Sequence, residues 1–171
     1  MSLLELVKAR KSIRKYKDID ISNELLTSIF NVVRWAPSSN NIQPWLFIAI
    51  RDLDIKKKIA TASQNQKFIY EAPVVIVACG LIDDSKDVIG NYMVSYPVDV
   101  SIAMTYLILA AHEKGLGTCW IGSFNEEKIR NILNLPSNLK VVAITPLGYP
   151  AESPNQTERK DIGSILKFEK V

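Results

Sequence analysis

The amino-acid sequence predicts one domain of α/β or α+β sandwich type, on three observations. Four apolar runs of strand character, WLFIAI (45–50), VVIVACG (74–80), TCWIG (118–122) and LKVVAITPLG (139–148), alternate with segments of helical periodicity. That alternation is the signature of a sheet covered by helices. The 171 residues suit one core, large enough to bury roughly 70% of the surface of the unfolded chain. No repeat, low-complexity tract or linker divides residues 1–171.

Each element has a local reason. Residues 2–10 can form a short helix with Leu3, Leu6 and Val7 on one side. Ser22 suits an N-cap, Glu24 favours the helix dipole, and Leu25, Ile29, Val32 and Val33 follow the helical spacing. That helix must end near Ala36, because the residue before Pro37 is steered out of the α region. After the first strand a charged helix spans about 54–62, followed by the polar stretch SQNQKFIYEAP and a fully buried second strand. Residues 81–96 read as an acidic, irregular loop, too long for an ordinary connection and placed to act as a lid. Pro97 suits a helix start, and Val100, Ala103, Met104, Leu107, Ile108 and Ala111 give that helix a wide apolar surface that Gly115 ends. Asn125 caps a helix running to about 134. The tail is polar from 150 until ILKF, whose alternation suits an edge strand.

Composition narrows the function. At 47% hydrophobic and 23% charged the chain is ordinary for a globular protein, and a net charge of +3 is too small to argue for nucleic acid. No apolar run reaches the roughly 18 residues of a membrane span, and the N-terminal charges follow the apolar residues, the reverse of a secretory signal. Cys79 and Cys119 lack C-x-x-C spacing and His112 is the single histidine, so no metal site is expected and the thiols read as reduced in a cytoplasmic protein. GLGTCW fails as a dinucleotide fingerprint, since Trp120 stands at the third glycine position and a strand follows. His112 has no serine or cysteine nucleophile motif to serve, and Asp83, Asp84 and Asp87 lack an EF-hand pattern.

Three segments carry more than turn chemistry. In RKSIR (10–14), residues Arg10, Ser12 and Arg14 alternate in extended backbone, so two guanidiniums and a hydroxyl can converge on one phosphate. PSSNNIQPW (37–45) sets turn-forming residues next to Trp45, and Trp35 stands just before it. WIGSF (120–124) runs into a turn where Gly122 leaves backbone N–H groups open to a ligand.

The ordered set ARKSIRKY, APSSNNIQPW, APVVIVAC, GLGTCWIGSF, PLGYP and the basic ERK of the tail resembles the nitroreductase family of FMN-dependent oxidoreductases along nearly the whole chain. The resemblance implies an α+β three-layer sandwich with a central mixed, mainly antiparallel sheet flanked by helices, in an intertwined homodimer that exchanges C-terminal strands. It implies that Arg10, Lys11, Ser12 and Arg14 hold the FMN phosphate and reach toward the ribityl chain, with Arg159 and Lys160 completing that site. Pro37, Ser38, Ser39 and Asn41, with Gln43, match the loop that covers the isoalloxazine of the other subunit. Trp120, Ile121, Gly122 and Ser123 match the element beside the ring, where a backbone N–H approaches N5 and some members carry glutamate in place of Gly122. One of Gln64, Gln66 and Lys67 is expected at the pyrimidine.

The implied activity is ping-pong hydride transfer from NAD(P)H through FMN N5 to a nitroaromatic, quinone or similar conjugated acceptor, with no side chain acting as nucleophile and none named catalytic. A flavin-dependent oxidase, dehydrogenase or reductive dehalogenase of one dedicated substrate is the alternative enzyme. A polyanion-binding module is the non-enzymatic one, against which Ile13 and Tyr16 interrupt the basic surface.

Overall fold

The computed structural model describes residues 2–85 and 88–170. Helices α1 (Leu3–Ala9) and α2 (Asn23–Val33) precede strand β1 (Trp45–Ile50). Helices α3 (Leu53–Ala62) and α4 (Phe68–Glu71) lead to β2 (Val74–Leu81). The short strands β3 (Val88–Ile89) and β4 (Met93–Val94) come before the long helix α5 (Tyr96–Glu113). Then follow β5 (Gly117–Thr118), α6 (Glu126–Leu133), β6 (Leu139–Gly148) and the single turn α7 (Ile162–Ile165).

The main sheet has the order β1-β2-β6-β5, and all three strand pairings are antiparallel. This decides for α+β over α/β. Among the described residues the one parallel component is a bridge from Ser12 to Thr118. β2 is buried on both faces, which explains its unbroken apolar run. Val74, Ile76 and Ala78 face α2 and α5, with Ile29, Val33, Met104 and Leu107, whereas Val75, Val77 and Cys79 face α3, α4 and α6, with Ile59, Ile69 and Ile129. Two cores on either side of one sheet make the three layers. A bulge between Ala78 and Cys79, opposite Val142, shifts the register so that both halves of β6 keep an apolar face on each core.

The structure departs from the sequence expectations at four places. The third strand is only Gly117–Thr118: the Cys119 N–H donates to the Thr145 hydroxyl at 3.1 Å, which interrupts the ladder until Ile121 bridges Ile144. The described part of segment 81–96 holds the hairpin β3–β4, whose turn is closed by left-handed Gly90 (φ 58°) and Asn91 (φ 62°). Asp87, one of the three aspartates of that segment, lies outside the described residues. A short α4 follows the SQNQK stretch, too brief to show periodicity. ILKF begins as the last turn of α7 and becomes extended only at Leu166 (φ −125°, ψ 124°).

Candidate functional site

The basic run is placed by the sheet edge and by the tail. The Ile13 N–H donates to the Thr118 carbonyl at 2.9 Å, laying RKSIR beside β5. The Lys17 N–H donates to Tyr149 O at 2.8 Å and the Ala151 N–H to Lys15 O at 2.9 Å, stitching the same segment to the chain leaving β6. Ile13 is buried between them, and the Tyr16 hydroxyl donates to Ile13 O at 2.5 Å. Burial pushes that hydroxyl far above the ordinary phenol range, so it stays a donor. Gly117 permits the close approach, since a Cβ there would stand 2.8 Å from Ile13 Cβ.

With Ile13 pointing inward, Ser12 and Arg14 turn outward, as extended backbone requires. Arg10, Lys11, Ser12, Arg14 and Arg159 line one cleft of about 180 Å³. Its remaining wall is Pro154–Thr157 of the tail, a short polar stretch without periodicity that gives no signal in the sequence until the fold brings it across the basic run. Arg159 is held in place by donating from Nη1 to Thr157 O at 2.9 Å, to the Thr157 hydroxyl, and to Glu158 O at 3.1 Å. Glu152 lies close, but its carboxylate accepts the Arg14 backbone N–H at 2.6 Å and leaves the guanidinium free of it. Among the described residues none of the four cations Arg10, Lys11, Arg14 and Arg159 is ion-paired with a carboxylate. Uncompensated positive charge around a polar cleft suits a dianionic phosphate ester. Lys160 is exposed and does not line the cleft.

The other expected segments surround this cradle unequally. The Arg14 guanidinium lies 5.9 Å from the Phe68 ring centre, which brings the start of α4, and with it exposed Lys67, next to the basic run. Gln66 is half-buried and its amide donates to Ser63 O at 2.9 Å. Beyond β5, Trp120, Gly122 and Ser123 are exposed, whereas Ile121 is buried in the core and exchanges backbone hydrogen bonds with Ile144. A Cβ on Gly122 would meet only Trp120 Nε1, at 3.5 Å, so the fold does not demand glycine there.

The loop at 37–43 does not line the cleft. It is built from left-handed residues, Asn40 (φ 46°), Asn41 (φ 56°) and Gln43 (φ 54°). Ser38 Oγ accepts the Gln43 N–H at 2.9 Å, and the Gln43 amide donates to Asn41 O at 3.1 Å. Non-glycine residues in this region cluster at ligand sites.

Neither thiol suits nucleophilic chemistry. Burial pushes Cys79 up to about 12 and raises Cys119 as well, with Arg14 opposing the rise. Burial, and then the Arg10 cation, hold His112 below the usual imidazole value. No cluster of metal-binding side chains occurs among the described residues, and no helix is long and apolar enough to cross a membrane.

Comparison with known proteins shows the family and the fold. The Nitroreductase family model matches residues 7–67 and 62–149. A putative NADH dehydrogenase/NAD(P)H nitroreductase of Methanothermobacter thermautotrophicus is 35% identical over 165 residues, covering 94% of this chain and 84% of the relative. The crystal structure of a nitroreductase family protein from Clostridium novyi is 39% identical, with a TM-score of 0.84 over 92% of this chain and 89% of that one. An FMN-dependent nitroreductase from Clostridium difficile is 28% identical, with a TM-score of 0.86 over 99% of this chain and 100% of that one.

Proposed function

This chain belongs to the nitroreductase family, and from that premise we propose a single-domain, FMN-dependent NAD(P)H oxidoreductase that reduces nitroaromatics, quinones or similar conjugated acceptors by a ping-pong route. The observation that carries the cofactor assignment is the convergence on one cleft of the Ser12 hydroxyl and four cations that have no carboxylate partner among the described residues. The similar Clostridium difficile protein is FMN-dependent, which supports the same choice.

Bound FMN supplies hydride acceptance and donation at N5; the protein supplies position and field. Arg10, Ser12, Arg14 and Arg159, with Lys11, hold the phosphate by charge-assisted hydrogen bonds, and Lys160 stands outside that set. Gln66 and Lys67 serve the pyrimidine edge, where Lys67 and Arg14 offset negative charge on the reduced ring. Exposed Trp120, Gly122 and Ser123 provide the backbone rim beside the ring. Pro37, Ser38, Ser39, Asn41 and Gln43 cover the ring bound by the other subunit of a homodimer. No side chain acts as nucleophile, in keeping with the raised thiols.

The test is an absorbance spectrum of the purified protein, followed by anaerobic addition of NADH and NADPH. A flavin spectrum that either nucleotide bleaches, and that nitroaromatic or quinone restores, is the expected result. A protein that takes up no FMN, or binds riboflavin as tightly as FMN, overturns the cofactor site. Bleaching by an organic substrate alone turns the assignment to a dedicated oxidase or dehydrogenase.

A further inference from the structure

Asp99 lies in the first turn of α5 and is 2% exposed, in a helix whose buried residues are otherwise all apolar. A carboxylate buried to this degree needs donors. Its Oδ1 accepts the Ser39 N–H at 2.9 Å, across 60 residues of sequence, while Oδ2 is buried without a hydrogen-bond partner. A favourable helix dipole does not explain this placement, because an acid on the solvent side of the same turn would serve equally well. Burial gives something else: a fixed acceptor beneath the loop at 38–43.

That loop needs one. Three left-handed residues in four positions, one of them a glutamine, persist only where their surroundings over-determine them. The Ser38–Gln43 and Asn41–Gln43 hydrogen bonds lie inside the loop and travel with it. The bond to Asp99 instead ties the loop to the helix layer. The same end of α5 also anchors the base of the β3–β4 hairpin, because the Ser95 hydroxyl lies 2.6 Å from that of Ser85 in place of capping the helix.

We propose that Asp99 is a positioning residue: by holding the Ser39 N–H from the helix layer it fixes left-handed Asn40, Asn41 and Gln43 in the shape that meets the ring, and so sets flavin affinity without touching flavin. This rests on the reading above that residues 37–43 face a flavin ring.

The experiment follows backbone amide exchange and FMN titration in the wild type, Asp99→Ala and Asp99→Asn. In the wild type the Ser39 amide exchanges slowly even without FMN. Asp99→Ala speeds exchange over 38–43 and weakens FMN by about tenfold, the effect of one lost charge-assisted hydrogen bond, while exchange over 10–17 is unchanged. Asp99→Asn, whose amide oxygen still accepts, restores both to near the wild-type level. If Asp99→Ala does not fold, the wild-type Ser39 amide and the Asn variant decide. Fast exchange of Ser39 in the wild type, an Asn variant with its loop freed, or an alanine variant with loop and FMN affinity unaltered overturns the proposal. A wild type that binds no FMN although Asp99 controls the loop as stated refutes the flavin reading and leaves the hold on the loop standing.

Discussion

Arg10 contributes to the cleft in two ways that can be measured separately. It is one of four cations without a carboxylate partner among the described residues, so its guanidinium is available to a ligand. A charge-assisted hydrogen bond is worth about 1.5–3 kcal/mol, so Arg10→Ala weakens FMN by roughly 10- to 100-fold in a fluorescence titration. The same substitution has little effect on riboflavin, which lacks the phosphate. Arg10 also acts on His112, whose proton it disfavours in addition to the effect of burial. Because the folded value lies below the unfolded one, the unfolded chain takes up this proton first. The stability tied to His112 is therefore complete above its unfolded pKa of about 6.5 and declines as pH falls below it. A phosphate dianion beside Arg10 offsets the cation, so FMN binding raises the His112 pKa. With one histidine in the chain, an NMR titration with and without FMN reads this from a single imidazole. An unchanged pKa would place the phosphate away from Arg10.

At the scale of elements, the seam between RKSIR and β5 governs the cradle. Gly117→Ala puts a Cβ against Ile13 Cβ and both its γ carbons, a contact that flexing a side-chain tip does not relieve. The backbone must part, which costs about 1–3 kcal/mol in thermal or denaturant unfolding and shifts Ser12 and Arg14 off the cleft. FMN affinity falls with stability, whereas an ordinary core substitution lowers stability alone. The β3–β4 hairpin gives the opposite expectation. Its base is held by Ser85 and Ser95, and its residues do not line the phosphate cleft. Replacing residues 88–94 by two glycines changes the relative kcat/KM for nitroaromatic and quinone acceptors and leaves FMN affinity nearly constant; loss of flavin would make the hairpin part of the cofactor site. These elements were legible in the sequence to different degrees. WLFIAI and LKVVAITPLG could be bounded to the residue because each is a mainly apolar run between turn formers. TCWIG misled because a hydroxyl 26 residues away takes the Cys119 N–H, which no local pattern records. The basic half of the cleft was visible as alternation, but Pro154–Thr157 and Asp99 were not. The first is tail without periodicity, and the second is a carboxylate whose role depends on a loop 60 residues distant.

The whole molecule leaves apolar surface that one chain cannot cover. Between α1, α2 and α5 an open groove of about 470 Å³ is lined by Leu3, Leu6, Val32, Tyr106 and Leu109. β1 is an edge strand with Leu46 exposed, and the tail presents Ile162 at 70% and Phe168 at 82% exposure. A free monomer rarely leaves contiguous apolar surface, or a strand edge, open to water. The loop at 37–43 also lies off its own chain's cleft, as it should if it serves a neighbour. The proposed homodimer with two shared flavin sites would answer all of these features, with the tail after α7, extended at Leu166, reaching the partner's sheet edge. Because each site would then be built from both chains, dimer and flavin stabilise one another, and the unfolding temperature rises with protomer concentration and with FMN. Removing residues 161–171 deletes the tail beyond Lys160 and leaves the cleft's own residues in place. The expected outcome is a lower molecular mass by light scattering at micromolar concentration and, in parallel, release of flavin into the filtrate. A truncated chain that stays dimeric with its flavin bound would assign the interface to the groove and β1 alone. A full-length monomer that keeps FMN and oxidises NAD(P)H would refute the shared site.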